Sequence, residues 1–306
     1  RFEDIRKCVG CLHGCVGHID TGLAGSCELN PLVGHESDPE YQTVPAEHPK
    51  KVMVVGAGPA GMQAAITACD RGQKVILAEQ GPRLGGLLRF TDVDTDKPDL
   101  MNFKNLLVRE VERRDIDVRL NTVITPENIT SFGADGVIFA TGSLPSCPPV
   151  PGIGHAHKAM DMYDGKVKPG HKIVMVGGGL VGVEVANHLA SLLKEVTVVE
   201  MRDGIALDEG PAPRKDLLQD LANNGAKAYT STTVDEITDH SVIVSGAHNE
   251  EIPADTVVLA IGRVSNTALA EELTAAGVDV RIIGDAKEPG LAGAAIREGY
   301  LLGRHL

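Results

Sequence analysis

Four cysteines open the chain: Cys8, Cys11, Cys15 and Cys27, in the spacing C-x2-C-x3-C-x11-C. Thiolate is a soft anionic ligand, and four of them so close in sequence can surround one metal centre. The first three fall within eight residues, so one tight loop can wrap three corners and leave the fourth to a residue further on. Gly10, Gly14 and Gly17 are interleaved with them, which lets backbone N–H groups approach the sulfurs without a Cβ in the way. Four cysteinates hold [4Fe–4S] and [2Fe–2S] clusters alike, and they also hold structural zinc. His13 and His18 lie nearby and read as supporting or surface residues beside a complete thiolate set.

Fewer than thirty residues later the chain reads VVGAGPAGMQAA. Gly56, Gly58 and Gly61 form G-x-G-x-x-G between an apolar strand and a helix. The first glycine permits the tight turn, the second lets a pyrophosphate approach, and the third brings helix and strand together. The helix N-terminus then faces the phosphates. Glu79 ends the next strand and is placed to accept from ribose hydroxyls. Gly177, Gly179 and Gly182 repeat the turn in VVGGGLVGVEVA, with Glu200 as the second acid. An acid there repels a 2′-phosphate, which favours NADH over NADPH; Arg202 could instead pair with that phosphate. Gly284 and Asp285, at the mouth of the last helix, suit the ribityl and phosphate end of a flavin, and Asp285 also suits a helix cap. A thiolate centre beside two nucleotide folds favours iron–sulfur over zinc.

The elements that must hold these residues alternate strand and helix. KVMVV (51–55), a helix from Pro59 to Arg71 and KVILAE (74–79) complete one β-turn-α-β unit. A helix over 98–114, a strand at 116–120 and the buried strand VIFATGS (137–143) follow. The pattern then repeats: strand, turn and helix over 172–190, EVTVVE (195–200), and VVLAIGR (257–263) in the place of VIFATGS. Such duplication predicts an α/β chain with two Rossmann-like dinucleotide-binding domains, the second inserted in the first. RIIGDA (281–286) and a closing helix return to the first. Residues 1–30 read as a loop shaped by its metal, and the proline-punctuated stretch 31–49 as a linker. The expected division is 1–48 for the iron–sulfur segment and linker, 49–153 plus 270–306 for FAD, and 154–269 for NAD(P)H.

The 306 residues suffice for two domains, and 42% hydrophobic content suffices for packed cores. A formal net charge of −13 leaves no electrostatic footprint for nucleic acid. No apolar run nears the roughly 20 residues of a membrane span. Nothing ahead of the cysteines reads as a signal peptide. Cysteines in a large glycine-rich α/β chain point to metal or redox use rather than disulfides, hence to the cytoplasm. Cys69 reads as a small core residue and Cys147 as part of a proline-rich turn; neither belongs to a close pair, so no redox-active disulfide is expected. The Arg-Phe-Glu-Asp start reads as that of a fragment.

The order of motifs, from C-x2-C-x3-C-x11-C and CELNPLVGHE through VVGAGPAGMQAA, IFATGS and VVGGGLVGVEVA to IGDA, resembles the C-terminal half of the 2,4-dienoyl-CoA reductase/NADH oxidase family. Trimethylamine and histamine dehydrogenases and enoate reductases are its relatives. The resemblance implies that Gly56, Gly58, Gly61, Glu79, Thr141, Gly142, Gly284 and Asp285 hold FAD. It implies that Gly177, Gly179, Gly182 and Glu200 hold the nicotinamide nucleotide, with Glu184 near the nicotinamide. It further implies a [4Fe–4S] cluster on the four cysteines and a preceding (β/α)8 barrel, absent here, that carries FMN and the substrate site. Electrons would then run from NADH through FAD and the cluster to an activated C=C bond on that barrel. The amine-dehydrogenase branch implies a rival: ADP in the first fold, and electrons leaving to an electron-transfer flavoprotein. A non-catalytic NAD-binding module with structural zinc is the third reading.

Overall fold

The fold is that of a computed structural model describing residues 4–306. Residues 1–3, the start of the segment assigned above to the metal centre, lie outside the described residues. Two compact units divide the chain. One runs to Leu144 and resumes over Val264–Leu306; the other, Pro145–Arg263, is inserted within it in sequence. Among the described residues no helix is long and apolar enough to cross a membrane.

The first unit is built on a parallel sheet in the order Val280–Ile282, Gly136–Phe139, Lys51–Val55, Lys74–Ala78, Ile116–Arg119. Its central strands are continuous apolar runs because both faces are covered. Val52, Val54, Val75 and Leu77 feed one core cluster, while Met53, Val55, Ile76 and Ala78 feed the other, as the two-residue period of a strand requires. The strand order reverses between Lys51–Val55 and Gly136–Phe139, and that switch point opens a crevice at the strands' carboxyl ends. Helix Pro59–Asp70 begins on a proline, whose φ is preset and whose missing N–H leaves nothing unpaired. Gly72, at φ +85°, follows its end. Helix Pro98–Glu112 buries Phe103, Leu106, Leu107 and Val111 at helical spacing. The closing helix, Ala292–Arg304, packs on Pro59–Asp70; a Cβ at Gly299 would strike the Ala60 carbonyl, so only glycine allows this approach.

The stretch 31–49 is more than a linker. Tyr300 Oη donates to the Tyr41 carbonyl, Arg304 Nε donates to that of Gln42 at 2.9 Å, and Ala46 N donates to that of Arg71 at 2.8 Å. The first two bonds tie the segment to the closing helix, and the third ties it to the end of helix Pro59–Asp70.

The second unit repeats the plan: His157–Lys158, Thr256–Leu259, Lys172–Val176, Glu195–Val199, Lys227–Tyr229, all parallel. Lys172 stands opposite Glu195 as Lys51 stands opposite Lys74. It also carries an antiparallel sheet of Thr232–Ile237, Ser241–Gly246 and Glu250–Pro253. That sheet is not anticipated from the sequence.

Candidate functional site

In the first unit a cavity of about 420 Å³ opens over the switch point. Gly56, Gly58, Glu79, Thr141, Gly142 and Asp285 all line it. Gly56 has φ +103°, and a Cβ there would collide with the Ala140 carbonyl. Gly61 is not on the wall. A Cβ on it would strike the Gly56 carbonyl, so its bareness serves helix–strand packing. Gly58 differs: the nearest atom to a Cβ there is Gly86 Cα at 3.8 Å, ordinary contact, so nothing in the protein requires it bare.

Glu79 is buried and already engaged. Its Oε2 accepts from Ala57 N at 2.9 Å and its Oε1 from Gly81 N at 2.8 Å. Each carboxylate oxygen keeps a further lone pair beyond these bonds. Thr141 Oγ1 donates to the Asn266 carbonyl at 2.9 Å. Asp285 accepts from Ser143 Oγ at 2.9 Å and from Gly290 N at 3.2 Å, so it shapes the loop ahead of the closing helix. Gly284 packs beneath the wall, where a Cβ would lie 2.8 Å from that of Ala60. Sequence reasoning missed Gly86 and Arg89, both on the wall. Arg89 Nε is buried and has no hydrogen-bond partner among the described residues. The sequence GLLRF carries no motif that would have marked it.

The second unit builds its turn alike. Gly177, at φ +102°, lies against the Ala260 carbonyl, and Gly182 against that of Gly177. Glu200 Oε2 accepts from Gly178 N at 2.7 Å and Oε1 from Arg202 N at 2.8 Å. Arg202 Nε also reaches Oε1 at 3.3 Å. Glu184 is half-buried on helix Leu180–Ser191, which starts from Gly179.

The cysteine segment belongs to the first unit. Cys8 and Cys15 are exposed; Cys11 and Cys27 are half-buried, and none is in a disulfide. Gly10 N donates to Cys8 Sγ at 3.3 Å. Burial pushes the Cys11 thiol up; the His13 N–H pulls it down, and the charges of Glu28, Cys15 and Cys27 push it up again. Cys11, Cys15 and Cys27 are therefore close enough to feel one another. Among the described residues no three of the four sulfurs gather within 4.8 Å of one another. Gly14 has a use other than the one read from sequence: a Cβ there would crowd Ser26. Glu28, beside Cys27, accepts from Gly293 N at 3.0 Å on the closing helix, whose first residues line the cavity. Cys69 packs against the core of the first unit. Cys147 is exposed in the second.

Comparison with known proteins agrees with this geometry. The model for pyridine nucleotide-disulphide oxidoreductases matches residues 21–129 and 50–287. The NADH oxidase of Thermoanaerobacter brockii is 39% identical over 312 residues, covering 98% of this chain and 48% of that protein. The cinnamate reductase of Clostridium sporogenes is 36% identical over 296 residues, covering 94% and 44%. A solved 2-naphthoyl-CoA reductase superposes with a TM-score of 0.96 at 33% identity, over 100% of this chain and 47% of that one. The chain thus spans about half the length of the relatives it matches. The likeness to the C-terminal half of NADH oxidase-type flavoproteins, read from the motifs, is borne out. With a matched model over most of its length and two glycine turns in register, the chain belongs to the pyridine nucleotide-disulphide oxidoreductase family.

Proposed function

We propose that this chain is the electron-delivering half of an iron–sulfur flavoenzyme that draws on NADH and serves the reduction of an activated C=C bond. The observation that carries this is the cavity of the first unit, which runs from Glu79 past the bare Gly58 to Asp285. Family membership implies FAD and a pyridine nucleotide. The first unit fits FAD: Gly58 leaves room for a pyrophosphate, Glu79 keeps acceptor capacity for a ribose, and Arg89 places a cationic side chain on the wall. The cavity's reach to Asp285 supports a ligand longer than ADP. The second unit fits the nicotinamide nucleotide through Gly177, Gly179, Gly182 and Glu200, with Glu184 facing the nicotinamide end.

Cys8, Cys11, Cys15 and Cys27 fit a [4Fe–4S] cluster by their chemistry: soft ligands, N–H donors at sulfur, and a thiol whose charge is costly until a cation compensates it. When bound, the flavin supplies exchange between electron pairs and single electrons, and the cluster takes them one at a time. The chain's own work is to hold the two sites within one unit. FMN and the substrate belong to a barrel in the same protein, a reading supported by relatives about twice this length. Cinnamate reductase and 2-naphthoyl-CoA reductase, both named for conjugated acceptors, support the C=C assignment.

The test is anaerobic addition of NADH, then NADPH, to reconstituted protein, with the extracted nucleotide weighed by mass spectrometry. Bleaching of the flavin spectrum by NADH with FAD in the extract is the expected result. An unchanged spectrum at saturating nucleotide defeats the proposal. ADP without FAD would place the chain in the amine-dehydrogenase branch, and zinc without iron or sulfide would make it a non-catalytic module.

A further inference from the structure

The N-terminus of helix Leu180–Ser191 is already occupied by an anion of the chain's own. Asp208 faces it with both carboxylate oxygens, Oδ1 at 2.9 Å and Oδ2 at 3.1 Å from Leu180 N. Leu180 is the first residue of the helix, after Gly179. A Cβ on Gly179 would lie 3.5 Å from Asp208 Oδ2. The carboxylate, with Arg202 Nη2 at 3.9 Å from the same point, therefore stands over the one glycine of the three in this motif whose Cβ would meet nothing closer than 3.5 Å.

The segment that carries Asp208 is pinned there. Ala206 N donates to the Gly178 carbonyl at 2.7 Å, and Arg214 Nε donates to that of Ile205 at 3.0 Å. Ala206 is fully buried and sits at φ +48°, a left-handed conformation that a residue with a Cβ adopts only when its surroundings impose it.

The first unit supplies an internal control. There Gly85 N donates to the Ala57 carbonyl at 2.9 Å, the counterpart of Ala206 N on Gly178. Two residues beyond, the first unit has Leu87 where the second has Asp208. The first helix begins on Pro59, which has no N–H for a carboxylate to take. One chain thus carries the same turn twice, once with a self-supplied anion at the phosphate seat and once without.

We propose that Asp208 competes with the coenzyme's pyrophosphate for the N-terminus of this helix, so that nucleotide binding must expel its carboxylate. The proposal rests on the reading of the second unit as the nicotinamide-nucleotide site. Two anions cannot both take the Leu180 N–H, and each repels the other across the same positive helix end. Asp208 lowers the affinity below what the glycine turn alone would give. The first unit, which would hold a resident cofactor, lacks this competitor; the second, whose nucleotide must leave after each turnover, has it.

Calorimetric titration of the whole chain with NADH and with ADP-ribose tests this, using Asp208→Ala and Asp208→Asn. Asn can still cap the helix through its carbonyl, without the charge. Both variants should bind ADP-ribose more tightly, by about three- to tenfold for Ala, the usual scale of a charge at a helix end. Thermal unfolding should at the same time show Asp208→Ala slightly less stable, because a cap is lost. A merely structural cap would lower affinity along with stability. Unchanged or weaker binding in both variants overturns the proposal while leaving the nucleotide site standing. If neither the parent chain nor the variants bind nicotinamide nucleotide or ADP-ribose, the assignment of the second unit falls, and the proposal with it.

Discussion

Glu79 and Glu200 close the same loop in the two units, yet their neighbours differ. Each carboxylate bridges the turn's second residue and the residue two positions after itself: Ala57 and Gly81 in one case, Gly178 and Arg202 in the other. In the first unit that second donor is a glycine, and a Cβ on it would come within 3.3 Å of the Arg89 guanidinium. Arg89 lines the cavity, and its buried Nε has no hydrogen-bond partner among the described residues. In the second unit the arginine is itself the donor, and its Nε also reaches Glu200 Oε1 at 3.3 Å. One acid has an uncommitted cation close by, while the other has a committed one. On the proposed reading of these turns as nucleotide sites, the preference at a ribose edge belongs to the acid and its cation together, not to the acid alone.

The largest break in this comparison is a substitution that tells fold glycines from ligand glycines. Gly61→Val would push a branched side chain into the Gly56 carbonyl, and overpacking of this kind costs about 3 kcal/mol or more where backbone cannot yield. Gly182→Val should do the same to the second unit against Gly177. Gly58→Ala meets only ordinary contact, so stability should move by less than about 0.5 kcal/mol while flavin retention falls. Denaturant unfolding beside flavin content measures both. Equal unfolding losses for Gly58→Ala and Gly61→Val would erase the distinction.

Next in size is Cys11→Ser. Iron and sulfide should be lost, with nucleotide binding at the Gly56 turn largely kept. The Glu28–Gly293 bond is the route by which this could fail, since it joins the residue after Cys27 to the helix that walls the cavity. A matching fall in flavin content would mean that the cysteine loop and the cavity fold as one unit, and Glu28→Ala should then reproduce it with the cysteines intact.

The turns, the strands that feed them and the two acids were legible because a strand, a turn and a helix leave little freedom in spacing: both acids follow the first glycine at the same interval, 56 to 79 and 177 to 200. Where tertiary packing decides, the sequence is silent. Asp208 reaches Leu180 from 28 positions away, with no period or motif to announce it. Glu28 reaches Gly293 from the other end of the chain. The strands of 232–253 are short, and a bulge between Val234 and Glu236 interrupts the alternation that would reveal them. Helix Pro211–Asn223 buries little besides Leu221, so it shows no apolar stripe. The stretch 31–49 is polar by composition but is held through its carbonyls, and carbonyls leave no trace in residue type.

A subtler test addresses the coenzyme. Glu200→Ala should narrow the preference for NADH over NADPH by several-fold, read as the ratio of the two Kd values. Arg202→Ala, which leaves the acid without its guanidinium, should widen it by a similar amount. Opposite signs for the two substitutions would confirm that the pair acts as a unit. No change in either would move the choice of coenzyme elsewhere. Glu200→Ala also strips an acceptor from Gly178 N and Arg202 N, so unfolding must be measured alongside.

The smallest effect concerns the opposite end of the two sheets, where the repeat is again imperfect. Asp135 precedes strand Gly136–Phe139 and accepts from Lys51 N at 2.8 Å. Asp255 precedes the equivalent strand and accepts from two donors, Lys172 N at 2.8 Å and His171 N at 2.9 Å. Those N–H groups, Lys172 first and His171 second, hold the Asp255 carboxyl below the ordinary carboxylate range. A carboxyl that is lowered on folding adds stability that is present above its unfolded pKa of about 3.9 and disappears as pH falls through the folded value. Asp255→Asn removes that linkage. Parent and variant should therefore differ slightly in Tm at neutral pH and converge under acid, because only the parent loses a contribution there. A gap that stays constant down to the acid limit would show that the two N–H bonds, and not the charge they hold, anchor this end of the second sheet.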